Sequence, residues 1–102
     1  MNSDYFWKVF EYLLTVPKGK VVTYGQIATA LGNKGLARVV GNILHQNPDK
    51  HAFPCFKVVN AKGELTKSFV FGGREEQKRL LEEDGVQVIG YKVDLLKYRF
   101  DE

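Results

Sequence analysis

The stretch Val22-Thr23-Tyr24-Gly25-Gln26-Ile27-Ala28-Thr29-Ala30-Leu31-Gly32-Asn33-Lys34-Gly35-Leu36-Ala37-Arg38-Val39-Val40-Gly41-Asn42-Ile43-Leu44-His45-Gln46 decides the fold. Thr23 and Gln26 have the spacing of a capping box, in which a Thr hydroxyl and a Gln side chain satisfy each other's free backbone donors at a helix start. A helix is therefore predicted to begin at Tyr24, with Ile27, Ala28 and Leu31 as its apolar stripe. Gly32-Asn33-Lys34-Gly35 breaks it with residues that tolerate positive φ. A second helix follows over residues 36–46, its inward face built from Leu36, Val39, Val40, Ile43 and Leu44. Two short helices joined by a tight turn make a helix-turn-helix pattern.

The outward face of the second helix carries Ala37, Arg38, Gly41, Asn42 and His45, small residues around one long cation. Glycine inside a helix costs about 1 kcal/mol relative to alanine, so Gly41 signals a close approach by another backbone. Two partners fit. One is a tightly packed neighbouring helix; the other is DNA, whose narrow minor groove excludes bulk and attracts arginine.

A chain of 102 residues, 44% hydrophobic, suffices for one core and one domain over 1–102. It contains no run of 18 apolar residues, and its N-terminus lacks the basic-then-apolar order of a signal peptide, so no membrane partner is expected. The single cysteine makes no internal disulfide, and with only His45 and His51 it gives no zinc site, so no metal or cofactor is expected. A reducing cytoplasm suits this composition, and nothing demands more than a monomer.

The net charge of +3 is unevenly distributed. Residues 17–67 hold eight Lys or Arg against Asp49 and Glu64, a balance of +6, whereas residues 1–16 carry −1 and residues 68–102 carry −2. The basic excess thus coincides with the helix-turn-helix, the electrostatic footprint of a polyanion partner.

Outward from the central stretch, residues 1–16 are predicted to form a helix with Ser3 as N-cap. Phe6, Val9, Phe10, Leu13 and Leu14 recur at helical spacing, and Trp7 and Tyr12 widen the stripe. Asn47-Pro48 stops the second helix of the pair. Beyond it, Pro54-Cys55-Phe56 leads irregularly into an extended run Lys57-Val58-Val59, and Ala61-Lys62-Gly63 reads as a hairpin turn into Glu64-Leu65-Thr66. Ser68-Phe69-Val70-Phe71-Gly72-Gly73 is an apolar loop, and residues 74–84 form a charged helix with Leu80 and Leu81 inward, closed by Gly85. The tail alternates enough for one or two strands. The fold class is α+β: a small domain of three to five helices around a winged-helix-like helix-turn-helix, with a few short strands.

The ordered set Val22-Thr23-Tyr24-Gly25-Gln26-Ile27-Ala28, Ala37-Arg38-Val39-Val40-Gly41-Asn42, Asn47-Pro48, Pro54-Cys55, Val58-Val59, Gly72-Gly73 and Leu80-Leu81 resembles the DNA-binding domain of O6-alkylguanine-DNA alkyltransferases. With no N-terminal domain and an ending of Val93-Asp94-Leu95 and Tyr98, it looks more like the short, free-standing alkyltransferase-like proteins. That resemblance implies a protein that binds alkylated double-stranded DNA without repairing it and flags lesions for nucleotide excision repair proteins. It implies that Arg38 enters the base stack from the minor groove and that Tyr24 helps rotate the target nucleotide out. Ala37 and Gly41 would let the helix sit in the groove, with Asn42 and His45 on the same DNA-facing surface. Base flipping is required physically, because an alkyl group on guanine O6 is out of reach inside the duplex.

Cys55 matches the cysteine that accepts the alkyl group in active enzymes, and here the chain departs from them. They follow Pro-Cys with His and Arg, whereas Phe56 and Lys57 stand here. In the enzymes the histidine, backed by a carboxylate near whose place Asp84 stands, produces the attacking thiolate. A free thiol near pKa 8.5 is a few per cent ionised at pH 7, and loss of a positioned base costs about 10²- to 10⁴-fold. The short alkyltransferase-like proteins depart differently, having lost the cysteine and kept the histidine. Active enzymes also carry Tyr-Ser before Gly-Gly, where this chain has Val70-Phe71. A lesion pocket of Tyr24, Cys55, Phe56, Lys57, Val70 and Phe71 would have few side-chain donors and would suit stacking or bulkier alkyl groups.

Three functions are carried forward. The first is a non-catalytic, lesion-recognising DNA-binding protein. The second is a slow suicidal methylated-DNA–protein-cysteine methyltransferase acting through Cys55. The third is a sequence-reading regulator, which would call for bulkier polar side chains than Ala37 and Gly41 to read base edges. A Cys55 hydrolase lacks a base, since His51 is near it in sequence only; Cys55 also fits as a buried small hydrophobe.

Overall fold

The computed structural model describes residues 3–67 and 69–101. The helix-turn-helix is present as expected. Helix α2 (Tyr24–Ala30) opens with the complete capping box: Gln26 N donates to Thr23 Oγ1 at 3.1 Å and Thr23 N donates to Gln26 Oε1 at 2.9 Å. The chain reverses at Gly32, φ +102°, and passes through a 3-10 turn, Lys34–Leu36, that Asn33 caps by accepting from Gly35 N at 2.8 Å. Helix α3 (Ala37–Leu44) follows, slightly shorter than the predicted span at both ends. Its inward side chains Val40, Ile43 and Leu44 are buried, and Leu36 and Val39 half-buried.

Helix α1 is described over Ser3–Leu13 and ends three residues before the predicted Val16. Whether the Ser3 side chain caps it lies outside the described residues. Val9, Phe10 and Leu13 are fully buried, but Leu14 stands just past the helix end and is 60% exposed, and Trp7 is 53% exposed. Trp7 still joins a ring cluster with Phe6, Phe10 and Phe53, in which the Phe10 and Phe53 centroids lie 5.0 Å apart. Such pairs contribute about 0.5–1.5 kcal/mol each beyond their buried area, so they bind the segment before Cys55 to α1.

Strand β1 (Val22–Thr23) pairs in parallel with β2 (Val58–Val59), Val22 opposite Val58 and Thr23 opposite Val59. Because successive strand residues face opposite sides, this short sheet separates two cores. Val22 and Val58 pack with α1, α2, α3, Cys55 and Phe69, whereas Val21 and Val59 pack with Leu65, Leu81, Val86, Val88 and Val93. Lys57 belongs to the 3-10 turn Cys55–Lys57 rather than to an extended run.

The turn after β2 forms, with Gly63 N donating to Asn60 O at 2.9 Å and Asn60 N to Glu64 O at 3.2 Å, but the pairing across it goes no further. Residues 64–65 pair instead with the tail, through a Glu64–Lys92 bridge and Leu65 N donating to Tyr91 O at 2.9 Å. Helix α4 (Gly73–Glu83) ends at Gly85, φ +91°, as expected. The tail makes isolated bridges, Ile89–Lys92 and Val21–Arg99, and a short helix α5 (Leu95–Tyr98) in place of strands. Among the described residues no helix is long and apolar enough to cross a membrane.

Candidate nucleic-acid interface and lesion pocket

The sequence of α3 puts its apolar residues on one face and leaves Arg38, Asn42 and His45 exposed on the other, with Ala37 and Gly41 partly covered. Among the described residues no carboxylate pairs with Arg38. A methyl group built on Gly41 would meet Tyr24 Cε1 at 4.0 Å, an ordinary contact. Packing inside the protein therefore does not demand glycine there, and the small face of α3 stays open to a partner.

Tyr24, the first residue of α2, turns its ring into a small hollow that it shares with Leu44, His45, Cys55, Val58, Thr66, Phe69, Val70 and Gln77. The hollow is about 20 Å³. Burial, with the neighbouring Cys55 as a smaller contributor, holds the Tyr24 phenol in its neutral form by raising its pKa. On the other side of Cys55 lies a second hollow of about 130 Å³, lined by Lys50, His51, Cys55, Phe56, Phe69, Phe71, Glu76, Arg79 and Leu80. Cys55 and Phe69 line both.

Cys55 is 6% exposed and opens the 3-10 turn, its N–H donating to Phe53 O at 2.8 Å. Asn47 shapes this approach: its amide donates to Phe53 O at 2.9 Å and hydrogen-bonds the Cys55 side chain. Burial outweighs that bond and the cysteine's own backbone contact, so the thiol pKa lies above its ordinary value. A neutral thiol is the resting form at pH 7. His51 does reach the larger hollow, contrary to its reading as a neighbour in sequence only, yet no hydrogen bond joins it to Cys55 among the described residues.

Of the expected pocket residues, Tyr24, Cys55 and Val70 meet in the smaller hollow, and Cys55, Phe56 and Phe71 in the larger. Lys57 is a correction. Its side chain leaves the thiol, lies 4% exposed beneath the fold, donates to Pro17 O at 2.8 Å and pairs with Asp84 Oδ2 at 3.0 Å. In a 3-10 turn, residues two positions apart point to different sides. Asp84 also accepts from Gly19 N at 2.9 Å, so the carboxylate near the family's catalytic position holds a turn in place here. Several lining residues escaped the sequence reading, and three of them matter most. Phe69 and Thr66 lie in or beside the apolar loop, and Gln77, fully buried on α4, donates to Phe56 O and Val58 O at 3.0 Å and accepts from Thr66 N at 3.2 Å. A glutamine on the Leu81 face of a charged helix was the available signal. Among the described residues no group of three His, Cys, Asp or Glu could hold a metal ion.

Comparison with known proteins places this geometry. Residues 4–86 match the family of the 6-O-methylguanine DNA methyltransferase DNA-binding domain. Alkyltransferase-like protein 1 of Schizosaccharomyces pombe is 35% identical over 100 residues, covering 97% of this chain and 90% of that protein. A DNA base-flipping protein of Vibrio parahaemolyticus is 39% identical, covering 96% and 97%. The methylated-DNA–protein-cysteine methyltransferase of Mycobacterium tuberculosis is 40% identical over 80 residues, covering 78% of this chain and 47% of the enzyme. The crystal structure of the S. pombe protein with damaged DNA containing O6-carboxymethylguanine superposes at a TM-score of 0.87 over the whole of both chains, at 35% identity. The chain therefore belongs to the 6-O-methylguanine DNA methyltransferase DNA-binding domain family and resembles its short alkyltransferase-like members.

Proposed function

We propose that this protein binds double-stranded DNA in the minor groove, flips O6-alkylguanine out of the stack and recognises it without transferring the alkyl group. One observation carries the reading: the helix that exposes Arg38 on a small-residue face, with no carboxylate paired to it among the described residues, ends at Leu44 and His45 on a hollow that the buried, neutral thiol of Cys55 also lines. In this reading Arg38 fills the vacated stack and Tyr24 crowds the backbone of the flipped nucleotide. Ala37 and Gly41 admit the groove walls, while Asn42 and His45 extend the contact along the strand. Flagged lesions would pass to nucleotide excision repair.

Fluorescence anisotropy of one labelled duplex, with and without a single O6-methylguanine, tests this at fixed salt, because phosphate contacts make affinity salt-dependent. A preference for the lesion is expected; equal binding would overturn the reading. The alternative, a slow suicidal methyltransferase, is favoured by the place of Cys55 at the junction of both hollows. Intact-protein mass after hours with the lesion duplex separates the two, since transfer adds one methyl group.

A further inference from the structure

The smaller hollow, at about 20 Å³, has room for one water molecule and nothing larger. A flipped base cannot enter it as it stands. Cys55 and Phe69 line both hollows, and of the Tyr24 and Phe69 rings that close the smaller one, it is Phe69 that also forms a wall of the 130 Å³ hollow. That second space is close to the roughly 150 Å³ known to accept a benzene molecule inside a protein. Its walls include Phe56, Phe71 and Leu80, and Phe69 already meets Phe71 edge to face, with centroids 6.0 Å apart.

We propose that Phe69 is the specificity-determining residue of the pocket: it admits a flipped base by moving its ring into the hollow beyond Cys55. An outward swing would put an aromatic ring into water, whereas the hollow offers it three apolar neighbours. The hollow then holds the ring of Phe69 or the arm of an O6 adduct, not both. The protein therefore selects short O6-alkyl groups such as methyl and rejects arms that carry a ring. This rests on the lesion-binding reading above and narrows the expectation that an apolar pocket suits bulkier groups.

Competition binding with duplexes containing guanine, O6-methylguanine or O6-benzylguanine tests it. The intact wild type should bind the methyl lesion about tenfold more tightly than the benzyl lesion, a difference of about 1.4 kcal/mol. Phe69→Ala frees the hollow and should bring the two lesions level or reverse their order. Leu80→Phe fills the hollow, leaves the ring of Phe69 nowhere to go, and should abolish lesion preference while undamaged DNA is still bound. Equal or tighter wild-type binding of the benzyl lesion would overturn the proposal, as would an unchanged ratio in Phe69→Ala. Should Phe69→Ala fail to fold, Leu80→Phe decides alone, and retained lesion preference there overturns it. A wild type that prefers neither lesion over guanine refutes the lesion-binding reading itself.

Discussion

Lys57 and Asp84 form an ion pair, Nζ to Oδ2 at 3.0 Å, with side chains 5% and 17% exposed. The pair joins the turn after Cys55 to the end of α4, and through Pro17 O and Gly19 N to the turn before β1. Removing one partner of a buried pair strands the other charge, which costs about 3–5 kcal/mol. Lys57→Met or Asp84→Asn should lower stability by that order in urea unfolding. The double variant Lys57→Met with Asp84→Leu should recover much of the loss, because an apolar replacement of both charges removes the desolvation cost as well.

The buried Cys55 thiol predicts a pH dependence. Folding favours its neutral form, so the contribution to stability is whole below the ordinary thiol range, near pH 8.5, and is lost as pH rises through and beyond it. Urea midpoints measured at pH 7 and pH 9.5 should fall further for the wild type than for Cys55→Ala. Iodoacetamide should label the folded protein more slowly than a free thiol at pH 7, and the rate should climb with pH.

Gln77 is the polar tie between α4 and the Cys55 segment. Gln77→Leu keeps the bulk but withdraws the donors from Phe56 O and Val58 O. Each buried group left without its partner costs about 1–3 kcal/mol, so a loss of roughly 2–6 kcal/mol is expected. The readout beyond stability is faster thiol labelling, because the turn that buries Cys55 is no longer held.

The helix-turn-helix was legible in the sequence because its signals are local: a capping box four residues long, a 3.6-residue apolar period and glycines at the turn. The β1–β2 pair was not, since two residues opposite two others, far apart in the chain, leave no pattern to read. Alternation in the tail suggested strands, but Asp94 accepts from Leu96 N and starts α5 there. At the site, sequence reading found Tyr24, Arg38 and Cys55 through their neighbours in the chain. It misplaced Lys57 because adjacency to Cys55 says nothing about side within a 3-10 turn. It passed over Phe69 because only the packed structure shows one ring walling two hollows.

Gly63 lies where the tail crosses the turn. At φ +83°, a Cβ there would stand 2.3 Å from Val93 O, whose residue donates its own N–H to Gly63 O at 2.8 Å. Gly63→Ala therefore combines left-handed backbone strain, about 1–2 kcal/mol, with a clash against backbone. Gly32→Ala is the control, since Gly32 is also left-handed at φ +102° but has nothing within 4 Å of its Cβ position. Thermal unfolding should show the larger drop for Gly63→Ala, and equal drops would mean that the crossing yields without cost.

Arg38→Ala separates flipping from simple attraction to phosphate. If the arginine fills the stack, its loss should lower affinity for the O6-methylguanine duplex by about tenfold or more, or about 1.4 kcal/mol. Affinity for undamaged duplex, which gains nothing from a vacated stack, should fall only by the share of one cation. Arg38→Lys restores the charge but not the planar guanidinium that can stack between bases, so it should recover the undamaged affinity and not the lesion preference. Equal losses on both duplexes, with full rescue by lysine, would reduce Arg38 to one more phosphate contact.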